Sequence, residues 1–99
     1  MTAGGGPAKA RLSIEYCTQC HWLPRAVWVA QELLGTFEAD LAEVALVPGH
    51  GGVFVVRVDG EPVWDRATQG FPEPTALKRA VRDQVAPDRD LGHADRSSD

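Results

Sequence analysis

The chain has 99 residues, 43% of them hydrophobic and 24% charged, with a formal net charge of −4. This size and balance describe one globular domain with a modest core and exclude collagen, coiled coil and global disorder. The acidic surplus argues against a nucleic-acid partner, and no apolar run reaches the roughly 20 residues that a membrane helix needs.

Residues 1–10 are rich in glycine and read as a flexible arm. The arm has no apolar core of the kind a secretory signal carries. With that feature missing and only two cysteines, the expected compartment is the reducing cytoplasm. Arg11–Tyr16 alternates: Leu12, Ile14 and Tyr16 point one way, Arg11, Ser13 and Glu15 the other. This is a strand in a sheet with only one face covered.

Beyond Cys17-Thr18-Gln19-Cys20 the period changes to that of a helix. Leu23, Ala26, Val27, Ala30, Leu33, Leu34 and Phe37 form its expected apolar stripe. Pro24 belongs in the first turn, which puts the start near Cys20–Leu23, and Gly35 is a plausible stop. Leu41–Val47 is a second strand, parallel to the first because a helix separates them. Pro48–Gly52 reads as a loop and Val53–Val58 as a third strand. Asp59-Gly60 is the signal of a tight hairpin turn, with Glu61–Arg66 as the returning strand. Pro62 cannot donate to a ladder, so this fourth strand belongs at an edge.

Ala67–Pro72 is a second loop, and Glu73–Ala86 a second helix with Leu77, Val81 and Val85 on its apolar side. Residues 88–99 read as a loose tail in which Leu91 is the one residue suited to docking, which leaves 11–87 as the domain. The expected architecture is β-α-β-β-β-α, a two-layer α/β sandwich: a four-stranded mixed sheet with both helices on one face.

The chemistry lies in Cys17 and Cys20. A C-x-x-C between a strand and a helix, inside a β-α-β unit, is the setting of thioredoxin-like redox motifs. Orphan N–H groups at a helix N-terminus favour a thiolate, the attacking species, and a thiol three residues away can close a disulfide and release a mixed-disulfide partner. Cys17 and Cys20 are therefore the candidate catalytic pair of a thiol–disulfide oxidoreductase. Two other readings stay open. The pair can switch a protein contact without turnover, as a redox-sensitive adaptor. It can also be half of a zinc site completed by His21, His50 or His93, although the histidines are single and scattered. Glu15, two residues before Cys17, reads as a solvated carboxylate rather than a proton relay. Trp22 belongs at the rim of the motif, Trp28 lies off the apolar stripe, and Trp64 reads as packing.

Several segments together resemble the selenoprotein W-like family, the SelT/SelW/SelH or Rdx group. They are Glu15–Cys20, the Gly52–Gly60 segment with its Asp-Gly hairpin, and Gly70-Phe71-Pro72-Glu73 leading into a helix that carries Leu77-Lys78 and Val81-Arg82-Asp83. The resemblance runs from about residue 11 to residue 86. It implies a thioredoxin-like fold without a helix between the second and third strands. It also implies thiol redox chemistry on protein thiols or disulfides, with no bound cofactor and with glutathione or another thiol as reductant. In animal members the second motif position is selenocysteine; it matches Cys20 here, so this chain resembles the bacterial branch that uses cysteine. One departure from thioredoxin and glutaredoxin is that Pro48 stands five residues before Val53, with a Gly-rich loop between. Helix geometry makes Cys17 the more exposed, attacking thiol with Cys20 as its partner. The resemblance favours Cys20, as does a helix start delayed by Pro24 to residue 22 or 23.

Overall fold

The computed structural model describes residues 9–92. Seven elements follow in order: β1 (Ala10–Cys17), α1 (Leu23–Phe37), β2 (Leu41–Gly49), β3 (Phe54–Val58), β4 (Glu61–Asp65), α2 (Arg66–Gln69) and α3 (Pro74–Val85). The sheet order is β2-β1-β3-β4. β1 and β2 pair in parallel, while β3 runs antiparallel to both β1 and β4. This is the expected mixed sheet of a thioredoxin-like α/β sandwich.

The pleat decides what is buried. Leu12, Ile14 and Tyr16 stand opposite Val58, Val56 and Phe54, and all six share one face of the sheet. The two long helices cover that face, contributing Ala26, Val29, Leu33 and Phe37 from α1 and Leu77 and Val81 from α3. The opposite face carries charge, with Glu15 and Arg57 joined at 2.9 Å. Pro62 does lie in an edge strand, and Asp59 and Gly60 both adopt positive φ (50° and 86°), as the tight hairpin requires.

The structure differs from the sequence expectations in five places. The apolar stripe of α1 is rotated: Val29 is buried, whereas Leu23, Val27 and Leu34 are exposed. The helix has more apolar positions than one sheet face can cover, and the covered arc centres on Ala26, Leu33 and Phe37. The helix also runs through Gly35, whose missing side chain faces open space. β2 continues through Pro48 to Gly49, since an edge strand loses no ladder bond to a proline on its free side.

The loop after β4 holds a third, short helix, α2. Asp65 accepts from Ala67 N at 2.9 Å while the Gln69 side chain accepts from Asp65 N at 2.9 Å, so the turn is capped reciprocally. The domain bounds are also wider than 11–87. Ala10 already belongs to β1, and the start of the expected tail is tied down. Arg89 pairs with Asp40 at 2.7 Å and lies 5.5 Å from the Phe37 ring centroid, and Leu91 packs on the core. Residues 1–8 and 93–99, the rest of the expected arm and tail, lie outside the described residues.

Candidate functional site

Cys17 is the last residue of β1, and its partner in the parallel ladder is Gly49 at the end of β2. Cys17 and Cys20 are joined in a disulfide with their Cα atoms 5.3 Å apart, within the ordinary span for such a bridge. The loop between them is pinned to β2: the Thr18 N–H and hydroxyl both donate to the Gly49 carbonyl, at 3.0 and 3.1 Å. His21 N donates to Thr18 O and Trp22 N to Cys17 O, closing the turn that leads into α1. His21 takes a φ of 61°, a left-handed conformation unusual for a residue with a side chain.

The expectation that Cys17 is the more exposed thiol is corrected. Cys17 is 1% exposed and Cys20 is half-buried. Two local features cause this. Cys17 is inside the ladder rather than beyond it, facing Gly49, and Pro24 holds the start of α1 back to Leu23. Both cysteines therefore precede the helix, and Cys20 is the one next to its N-terminus. No side chain caps that end and no acidic residue lies in its first turn. Its orphan N–H groups favour negative charge there.

Gly49 is required by close approach. A Cβ at this position would stand 2.7 Å from Val53 Cγ1 and 2.8 Å from Glu15 Oε2. Glu15 thus lies over Gly49, the strand partner of Cys17, and is held by Arg57 rather than free in solvent.

A ring cluster stands beside the motif. Trp22, Phe54 and Phe71 meet edge to face, with centroid distances of 4.8 Å for Trp22–Phe71, 5.6 Å for Phe54–Phe71 and 6.5 Å for Trp22–Phe54. Two guanidinium groups lie against it. Arg25 sits 4.0 Å from the Phe71 centroid, and Arg66 sits 5.2 Å from that of Trp22. Arg66 Nε also donates to Gly52 O at 3.0 Å, tying α2 to the loop after β2. Phe71, Arg25 and Arg66 carry no local sequence signal of this role, because they come from three separate elements.

The remaining candidates are dispersed. His21 and His50 are both exposed, and His93 lies outside the described residues. Among the described residues no three His, Cys, Asp or Glu side chains gather closely enough to hold a metal ion. Trp64 packs against the core and donates its indole N–H to Gly70 O at 2.8 Å. Trp28 is 45% exposed. No helix among the described residues is long and apolar enough to cross a membrane.

Residues 11–83 match the Rdx family. The fold is shared with a crystal structure of a protein from Bordetella parapertussis, 59% identical, with a TM-score of 0.76, covering 79% of this chain and all of that one. It is shared also with the crystal structure of a selenoprotein W-related protein from Vibrio cholerae, 45% identical, with a TM-score of 0.75, covering 78% of this chain and 98% of that one. No curated protein matches the chain. The fold is therefore shared with both proteins, and the chain belongs to the Rdx family.

Proposed function

We propose that this chain is a thiol–disulfide exchange protein of the cytoplasm, with Cys20 as the sulfur that meets partners and Cys17 as the one that resolves. The observation that carries this reading is the asymmetry of the Cys17–Cys20 disulfide, with Cys17 sealed in the ladder and Cys20 half-buried beside the N-terminus of α1. Membership of the Rdx family, which the Vibrio neighbour's name links to selenoprotein W, supports a redox role.

Exchange begins when a partner thiolate attacks the accessible Cys20 sulfur of the oxidised protein. The Cys17–Cys20 bond breaks, a mixed disulfide forms, and Cys17 leaves as a thiolate that takes a proton. A second partner thiolate then attacks the partner's own sulfur in the mixed disulfide and releases Cys20. The partner dithiol has lost two electrons and two protons, and the protein is left with two thiols. The reverse sequence reduces a partner disulfide. The partners proposed are protein thiols and disulfides, and the reductant that resets the dithiol form is glutathione or another small thiol.

The test is trapping in cells. Cys17→Ser leaves Cys20 without its resolving partner, so mixed disulfides with proteins or glutathione accumulate and are identified by mass spectrometry. Cys20→Ser accumulates few. If neither variant traps a thiol and the wild-type protein turns over no disulfide, the exchange reading fails. A partner held in only one oxidation state, without turnover, supports the adaptor instead.

A further inference from the structure

A groove of about 420 Å³ begins at the residue after Cys20 and is lined by His21, Trp22, Pro24, Arg25 and Trp28. Pro24 and Trp28 lie one turn apart on the outer side of α1, and both are exposed. Trp28 is a large side chain that the fold leaves 45% exposed, beside a motif whose proposed work is to meet another molecule.

The charge here is also distinctive. The chain as a whole carries −4, yet the guanidinium groups beside this groove are cationic and unmatched. Among the described residues, Arg25 has only its stacking on Phe71, and Arg66 has only a carbonyl and two rings, with no carboxylate on either. The acidic side chains close to them in sequence are engaged elsewhere. Asp65 caps α2, and Glu73 accepts the Thr75 hydroxyl at 2.7 Å. A guanidinium placed over a ring face can still donate two parallel hydrogen bonds to a carboxylate from its N–H edge.

We propose that this groove is the docking site for the segment flanking the redox cysteine of a protein partner, and that it selects a segment with a large apolar side chain, seated on Pro24 and Trp28, next to a carboxylate that pairs with Arg25. The inference rests on the thiol-exchange reading above and adds the partner's chemistry. A protein segment fits better than free glutathione: glutathione supplies carboxylates but no apolar side chain, and would leave Trp28 uncovered.

The test uses short peptides whose single cysteine is activated as a pyridyl disulfide, reacted with the reduced wild-type protein. The protein thiolate attacks the peptide sulfur, thiopyridone leaves and is read by absorbance, and the second cysteine then releases the peptide as a thiol. One peptide carries Phe and Glu beside its cysteine, in both orders; the others replace Phe by Ala, Glu by Lys, or both. Each rate is divided by that of the same protein with neutral dithiodipyridine, so intrinsic thiol reactivity cancels.

The Phe–Glu peptide is expected to exceed the doubly replaced peptide by roughly tenfold, the size expected from burying one ring and forming one exposed ion pair. Trp28→Ala removes the preference for Phe. Arg25→Glu reverses the charge preference, so that the Lys peptide becomes the faster, an outcome that mere unfolding cannot produce. The pyridyl disulfide of glutathione shows no dependence on Trp28. Equal normalised rates for all peptides, preferences that survive both substitutions, or a loss with glutathione as large as that with the Phe peptide would each overturn the groove while leaving exchange intact. If wild type reacts with neither peptide nor dithiodipyridine, the exchange reading itself falls and the groove's role falls with it.

Discussion

Arg25 lies over Phe71, its guanidinium carbon 4.0 Å from the ring centroid, and so fastens the first turn of α1 to the loop that leads into α3. Phe71 in turn meets Trp22 and Phe54 edge to face. The turn that presents Cys20 is thereby braced by three chain segments. Phe71→Ala removes two ring contacts and the cation's seat, and is expected to cost about 2 kcal/mol. Urea denaturation measures this. A loss well under 1 kcal/mol would show that the cluster contributes little to the fold.

In the reduced protein, iodoacetamide should modify Cys20 well ahead of Cys17, since Cys17 is 1% exposed at the end of β1. With Cys17→Ser the remaining thiol should react roughly tenfold or more faster than with Cys20→Ser, because reactivity follows thiolate character and access together. Faster labelling at Cys17 would restore the order expected from simple helix geometry.

Gly49→Ala should destabilise the protein by about 1–3 kcal/mol, as overpacking does. The new methyl would meet Val53 Cγ1 at 2.7 Å and the Glu15 side chain at 2.8 Å. Val53 is stiff at χ1, and Glu15 is held by Arg57. A thermal melt checks this, and an unchanged midpoint would mean that the loop after β2 yields freely.

Gly35→Ala is the opposite case. Gly35 is an exposed helical residue, and a methyl group added to it would have nothing within 4 Å, so alanine should stabilise by about 0.5–1 kcal/mol through backbone entropy. Chemical denaturation of this variant measures the gain, and a loss would mean that the helix needs glycine at that turn.

Leu91 lies beyond the last helix and packs against the core, so Leu91→Ala should cost about 1 kcal/mol, as a partly buried leucine does. A neutral result would return this segment to the loose tail that its composition suggests.

The amino-acid sequence alone determined the order of the four strands and two long helices, the parallel pairing of β1 with β2, the Asp59-Gly60 hairpin, the edge position of the Pro62 strand and the placing of Cys17 and Cys20 ahead of a helix. Each follows from a period, a turn residue or a proline acting over a few neighbours. Only the tertiary structure decided which thiol is covered, which arc of α1 is buried and which residues surround Cys20. Cys17 is sealed because a strand more than thirty residues on supplies Gly49 as its neighbour. Leu23, Val27 and Leu34 stay in solvent because the sheet spans only one side of a helix that is apolar on two. Arg25, Arg66 and Phe71 meet at Trp22 because α1, α2 and the loop before α3 converge at one end of the sheet. Such encounters are properties of packing between distant segments, and no local pattern encodes them.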